Sequence, residues 1–158
     1  MRERVIGVAQ WAVDAGDVVL VTLGLGSCVA VALHDPVAKA GGLVHILLPS
    51  ASMTLDRSNP ARCAETALPV LLRELAAVGA RRERLTARLV GGASMFGPSP
   101  GLPPMGKRNV SAARQVLAAA QVPVVGEDVL GAHGRSVYFY LEDGRIEVRS
   151  LAGGNVLL

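Results

Sequence analysis

The sequence predicts an α+β protein in which sheets are covered by two main helices. Three observations carry that assignment. Apolar, β-branched runs punctuated by Gly and Pro fill the first fifty residues and return in the last third of the chain. Between them, two segments switch to helical spacing. Hydrophobic residues make up 51% of the chain against 18% charged, a globular rather than a disordered composition. At 158 residues the chain is read as one domain, 1–158, long enough to bury a core.

In order, Val5 to Val13 reads as a first strand and Val18 to Leu25 as a second. Val29 to Asp35 is a third, stopped by Pro36, and Gly41 to Pro49 a fourth, opened by glycines and closed by proline. These runs are continuously apolar, which predicts strands covered on both faces. After Ser58-Asn59-Pro60, a cap followed by a helix-starting proline, apolar residues fall at Ala64, Ala67, Leu68, Leu71, Leu72 and Leu75. Pro69 within that helix removes a hydrogen bond and predicts a kink; Gly79 is its stop. Ala80 to Arg84 ("ARRER") reads as a solvated turn. Thr86 to Gly92 is a strand and Gly97 to Gly106 a Pro/Gly loop, long enough to be functional or mobile. Asn109 to Val122 is a second helix, and Val122–Leu130 and Ser136–Leu151 supply the remaining strands, the last two joined by an Asp143-Gly144 hairpin. The tally is about seven or eight strands with two helices.

Composition excludes several classes. Aromatic residues are 3% of the chain, too few for the stacking platforms of single-stranded nucleic-acid binding. The uncharged run Val18 to Leu33 falls short of the ~20 residues of a spanning helix and contains Gly24 and Gly26. The amino end lacks a clean apolar core and a small-residue cleavage site, so no signal peptide and no membrane insertion are expected. Two cysteines make no disulfide framework, and His34, His45 and His133 lie far apart with no zinc spacing. A reduced, cytoplasmic protein without metal or cofactor is expected.

The stretch "TLGLGSCVAV", Thr22 to Val31, carries the chemistry. Read alone, a cysteine in an apolar run is a small buried hydrophobe. Cys28, however, follows Gly24-Leu25-Gly26-Ser27, where the chain can turn tightly and leave a side chain at a strand edge. Backbone N–H groups at such a strand start, near Ser27 and Cys28, can hold an oxyanion. His45 sits mid-strand in "GGLVHILLP" and needs a hydrogen-bond partner: a backbone carbonyl if it is a core residue, or a thiol on the neighbouring strand. Thr22 on the second strand, by itself simply a β-former, could bond the other imidazole nitrogen and fix its tautomer. "GLGSCV" lacks the third glycine of a dinucleotide loop, and "GLGSC" is not a nucleophile elbow. Cys63 reads as structural.

With "NPARCAETALPVLLREL", "GGASMF", "MGKRN" and "DVLGAHGRSVYF" following in order, the chain resembles the bacterial chemoreceptor glutamine deamidases, the CheD family, over nearly its whole length. The resemblance implies a layered α/β fold with mixed sheets, a Cys28 nucleophile, a His45 base and Thr22 orienting the histidine. It implies a substrate or partner cleft involving Met95, Phe96, Arg108 and Asn109, the helices of chemoreceptors as substrate, a CheC-type phosphatase as partner, and a receptor methylesterase activity. Cys63 and Ala132-His133 depart from the family pattern without touching the three catalytic positions. Two other readings stand beside deamidation: a cysteine hydrolase acting on another amide, and a non-catalytic regulator of the phosphatase.

Overall fold

The computed structural model describes residues 1–97 and 100–158. Among these, ten strands and two α-helices follow in the order β1 (Arg2–Ile6), β2 (Trp11–Ala15), β3 (Val18–Leu25), β4 (Val29–Asp35), β5 (Ala40–Ile46), α1 (Ala64–Ala77), β6 (Thr86–Gly91), α2 (Met105–Ala119), β7 (Val124–Val129), β8 (Arg135–Tyr140), β9 (Ile146–Ser150) and β10 (Gly154–Leu157). The strands form two mixed sheets of five, ordered β1-β3-β8-β9-β10 and β2-β5-β4-β6-β7. One apolar cluster packs α1 and α2 on the outer face of the second sheet. Another fills the space between the sheets, so the layers run helices, sheet, sheet. This is the α+β layered fold that the sequence predicts.

The long apolar runs end where they should. β4 and β5 are buried at every position, as strands with a helix layer on one face and a sheet on the other must be. They pair antiparallel, with Ala30 opposite His45 and Val29 opposite Ile46. β3 lies in the other sheet, so the turn at Gly26–Cys28 carries the chain from one sheet to the other.

Three expectations need correction, and one helix carries an interior proline. Val5 to Val13 is not one strand: Gly7 to Gln10 forms a turn, Ala9 takes φ 56°, and β1 and β2 go to different sheets. The cap at Asn59 starts a single 3-10 turn, Pro60–Arg62, and α1 begins only at Ala64. α1 runs through Pro69, which lies on its exposed side, where water can satisfy the freed carbonyl. The turn at Ala80 to Arg84 is not merely solvated: the Arg84 guanidinium grips the fully buried Asp35, Nε lying 3.0 and 2.9 Å from its two carboxylate oxygens. Burial alone would raise the Asp35 pKa, but Arg84 and the N–H groups of Arg81, Ala38 and Val37 hold it far below the usual carboxylate range.

β10 escapes the sequence reading, and α2 begins at Met105, inside the predicted loop. Residues 98 and 99 of that loop lie outside the described residues. His34 is a core histidine, its Nε2 2.8 Å from Leu141 O and its ring edge-on to Phe139.

Candidate active site

His45 is fully buried near the end of β5. The β1–β2 turn grips its backbone: His45 N–H donates to Gln10 O at 3.1 Å, and Ala9 N–H donates to His45 O at 2.9 Å. The side chain points between the sheets, and its Nδ1 lies 2.7 Å from Thr22 Oγ1 on β3. Thr22 Oγ1 in turn donates to Ile6 O at 2.9 Å. A hydroxyl has one proton, and a carbonyl oxygen can only accept. The Thr22 proton is therefore committed to Ile6, and the hydroxyl accepts from His45 Nδ1–H. That places the imidazole in the tautomer with a free lone pair on Nε2. Nε2 is buried and bonds to none of the described residues.

Cys28 stands at the end of the turn between the sheets. β3 reaches it through a bulge between Thr22 and Leu25, opposite Val137 and Arg135 of β8. The bulge lets both Thr22 and Leu25 face inward and leaves Leu23 and Gly24 outside. Cys28 then enters the inter-sheet layer on the same face as Ala30. Ala30 is opposite His45, so Cys28 and His45 are diagonal neighbours on one face of an antiparallel pair. Such pairs lie roughly 7 Å apart, within reach of an imidazole.

The turn's carbonyls are all engaged. Gly26 O accepts from Ala93 N–H at 2.9 Å and Cys28 O from Gly92 N–H at 2.8 Å. Ser27 O accepts from the Asn109 amide at 2.9 Å. Neither the Ser27 nor the Cys28 N–H enters a backbone hydrogen bond among the described residues, which leaves both available to an anionic oxygen. The carbonyl of Cys28 lies so near Gly91 that a Cβ there would come within 2.3 Å of it.

Burial sets the resting charges. It pushes the half-buried Cys28 thiol above its ordinary value and pulls the His45 imidazole below its own. At rest the site holds a thiol and a neutral imidazole with no hydrogen bond between them, unlike the thiol partner that the sequence offers for His45. An acyl carbon brought to Cys28 can be attacked as the S–H proton passes to Nε2.

A cavity of about 320 Å³ is lined by Gly26, Ser27, Met95, Phe96, Met105 and Gly106, among others. Phe96 is fully exposed and Met95 half exposed. Met95 also borders a second, larger cavity of about 720 Å³ with Gly24, His133, Arg135 and Arg149. No side chain caps the amino end of α2, whose first turn reaches the smaller cavity and favours negative charge there. Met95 and Phe96 thus line this cavity together with Ser27. Arg108 does not: it lines a separate cavity with Pro49, Pro103 and Lys107, and its guanidinium rests 3.7 Å from Met53 Sδ. Asn109 is 1% exposed and lies beneath the turn rather than in the cleft. Cys63 is buried before α1, its Sγ 3.1 Å from Thr66 Oγ1.

Sequence reasoning missed the Ile6 carbonyl, which as backbone carries no side-chain signature, and the turn that holds His45. Gly91-Gly92 was legible only as a strand end. Among the described residues, no cluster of His, Cys, Asp and Glu is placed to hold a metal ion. No described helix is long and apolar enough to cross a membrane.

Comparison with known proteins gives one consistent answer. Residues 47–150 match the family described as CheD chemotactic sensory transduction. The chain is 43% identical over 155 residues to the "Chemoreceptor glutamine deamidase CheD" of Thermotoga maritima, covering 98% of this chain and 96% of that one. It is 41% identical over 151 residues to the "Probable chemoreceptor glutamine deamidase CheD" of Caldanaerobacter subterraneus, covering 94% and 93%. The like-named protein of Pyrococcus abyssi is 42% identical over 158 residues, covering 99% and 96%.

Proposed function

The chain belongs to the CheD family, and on that premise we propose that it is a protein-glutamine deamidase, a single domain over residues 1–158 that acts on chemoreceptors by thiol catalysis. The observation that supports the chemistry best is the Ile6–Thr22–His45 chain of hydrogen bonds, which leaves a basic Nε2 on the face it shares with Cys28.

The steps follow from those groups. Cys28 Sγ attacks the carboxamide carbon of a receptor glutamine while its proton moves to His45 Nε2. The carbonyl oxygen becomes an anion held by the Ser27 and Cys28 N–H groups. His45 returns the proton to the amide nitrogen, the C–N bond breaks and ammonia leaves. Water, deprotonated by His45, then attacks the thioester, the C–S bond breaks, and glutamate is released as Cys28 recovers its proton. A γ-methyl ester offers the same acyl carbon, so receptor methylesterase activity is part of the proposal. The fully exposed Phe96 and the adjacent Met95 supply apolar surface for a protein substrate at the cavity mouth. A CheC-type phosphatase is a second protein suited to the same surface, and the setting proposed is the cytoplasm.

Mass spectrometry of candidate receptor fragments, incubated with wild-type protein or with Cys28→Ala, tests this reading. A mass gain of about 1 Da at receptor glutamines, absent with Cys28→Ala, supports it. Equal activity on an unrelated folded protein would favour a general amide hydrolase. Receptor modification that survives Cys28→Ala would overturn thiol catalysis, and no modification with the wild-type protein would favour the regulatory role.

A further inference from the structure

We propose that Asn109 is a positioning residue for the Cys28–His45 pair, a side-chain clamp that joins the two strands just past the end of their hydrogen-bonded ladder. The inference rests on the catalytic reading of that pair. The ladder between β4 and β5 ends at Val29 and Ile46. Just past it, Leu47 follows Ile46 and Ser27 stands two residues before Val29, and no strand pairing holds them. The Asn109 amide donates to both: to Ser27 O at 2.9 Å and to Leu47 O at 3.2 Å. A single NH2 group therefore ties the residue before the thiol to the strand that carries the imidazole.

Few side chains can do this. The task calls for two N–H donors on one short arm with no charge, because both targets are partly buried carbonyls. Aspartate has no such donors when ionised, and glutamine is one methylene longer. The short arm reaches because α2 sits very close. A Cβ on Gly106, one helical turn before Asn109, would fall 2.4 Å from the carbonyl oxygens of Gly92 and Ala93. The N–H groups of those same two residues bond Cys28 O and Gly26 O. Gly106 thus seats the helix on the segment that grips the turn from one side, and Asn109 grips it from the other. The Asn109 Oδ1 is buried with no partner among the described residues, so the position uses the amide for its donors, not its acceptor. The carbonyls of Gly26, Ser27 and Cys28 cannot rotate independently, and the Ser27 and Cys28 N–H groups stay where an anionic oxygen forms.

The test compares wild-type protein with Asn109→Ala in three readings: kcat and KM for deamidation of a receptor fragment, the pH profile of Cys28 alkylation by iodoacetamide, and circular dichroism with thermal melting. The expected result is a folded variant with kcat lower by on the order of 10²-fold and KM changed less than about twofold. The alkylation profile should move toward that of an ordinary thiol, because a loosened turn admits water to the sulfur. A lower melting temperature with kcat and alkylation profile unchanged would show a packing role only and overturn the proposal. A rise in KM alone would make Asn109 a substrate contact and overturn it equally. Should Asn109→Ala not fold, Asn109→Ser, which keeps one donor, replaces it under the same criteria. Alkylation needs no receptor, so a wild-type protein inactive on receptors would defeat the functional reading while the clamp is still judged on its own.

Discussion

The Thr22 hydroxyl accepts a hydrogen bond from His45 Nδ1 across 2.7 Å, because its own proton goes to Ile6 O, 2.9 Å away. Thr22 and His45 belong to different sheets. A polar chain that starts on a backbone carbonyl of one sheet thus sets the tautomer of an imidazole in the other, and it leaves Nε2 as the basic nitrogen.

Thr22→Val should slow deamidation and leave the fold intact. Valine keeps the shape and removes the acceptor, so Nδ1–H and Ile6 O lose their bridge. Leaving one buried donor unpaired costs about 1–3 kcal/mol, which corresponds to roughly 10- to 100-fold in kcat if the whole cost falls on the oriented ring. Steady-state kinetics on a receptor fragment measure this. A rate within twofold or so of wild type would mean that packing alone orients His45.

Cys28 should alkylate faster than Cys63 in the native protein, since it is half-buried where Cys63 is 2% exposed. Burial raises its pKa, so the iodoacetamide rate should still be climbing above pH 9.0, the ordinary thiol value here. Peptide mapping after brief labelling gives the ratio, and the same assay across pH gives the profile. A plateau at neutral pH would reveal a preformed thiolate, and a different mechanism.

His45→Asn should remove activity by about 10²- to 10⁴-fold, because asparagine cannot carry a proton between sulfur and ammonia. The same residue makes stability depend on pH. Burial lowers its pKa in the folded protein, so the unfolded chain binds more protons in the interval below about 6.5, and wild-type stability falls as the pH drops through that interval. His45→Asn lacks this contribution. Its thermal midpoint should change less than that of wild type between neutral pH and the acid side, and parallel melting curves would contradict the assignment of a neutral buried imidazole.

Gly91→Ala should displace the nucleophile, whereas Gly16→Ala should not. Both glycines hold positive φ, 112° and 85°, so each alanine carries a backbone cost of about 1–2 kcal/mol. Only at Gly91 does the new Cβ meet the Cys28 carbonyl, at 2.3 Å; at Gly16 nothing lies within 4 Å. Alkylation kinetics of Cys28 and deamidation rates should change in the first variant and stay near wild type in the second. Equal effects in both would remove the Gly91–Cys28 contact from the account.

Much of the site was legible because its signals are local. β3 and β4 run from Val18 to Leu25 and from Val29 to Asp35, the bounds that β-branched runs and the glycine-serine turn mark out. The neighbouring-strand placement of Cys28 and His45 follows from two apolar strands with one short connection. The helical period of Ala64 to Leu75 survived an interior proline because its apolar face, not its full set of hydrogen bonds, holds it to the sheet.

What the amino-acid sequence determined by itself was therefore the two helices and most of the strands, the buried character of β4 and β5, and the residue types able to carry thiol chemistry. The tertiary structure decided which of them meet. That Val5–Val13 breaks into strands of two sheets depends on the partners each half finds, Val18–Thr22 for one and Ala40–Val44 for the other. That Thr22 accepts rather than donates depends on a carbonyl, and every residue has one. That Arg84 lies on Asp35 rather than in solvent, and that Asn109 lies under the Gly26–Cys28 turn rather than in the cleft, depends on contacts between residues 49 and 82 positions apart. Periodicity speaks only for a residue's own element; a hydrogen bond between distant backbones is set by register and layer order, which appear only when the whole chain has packed.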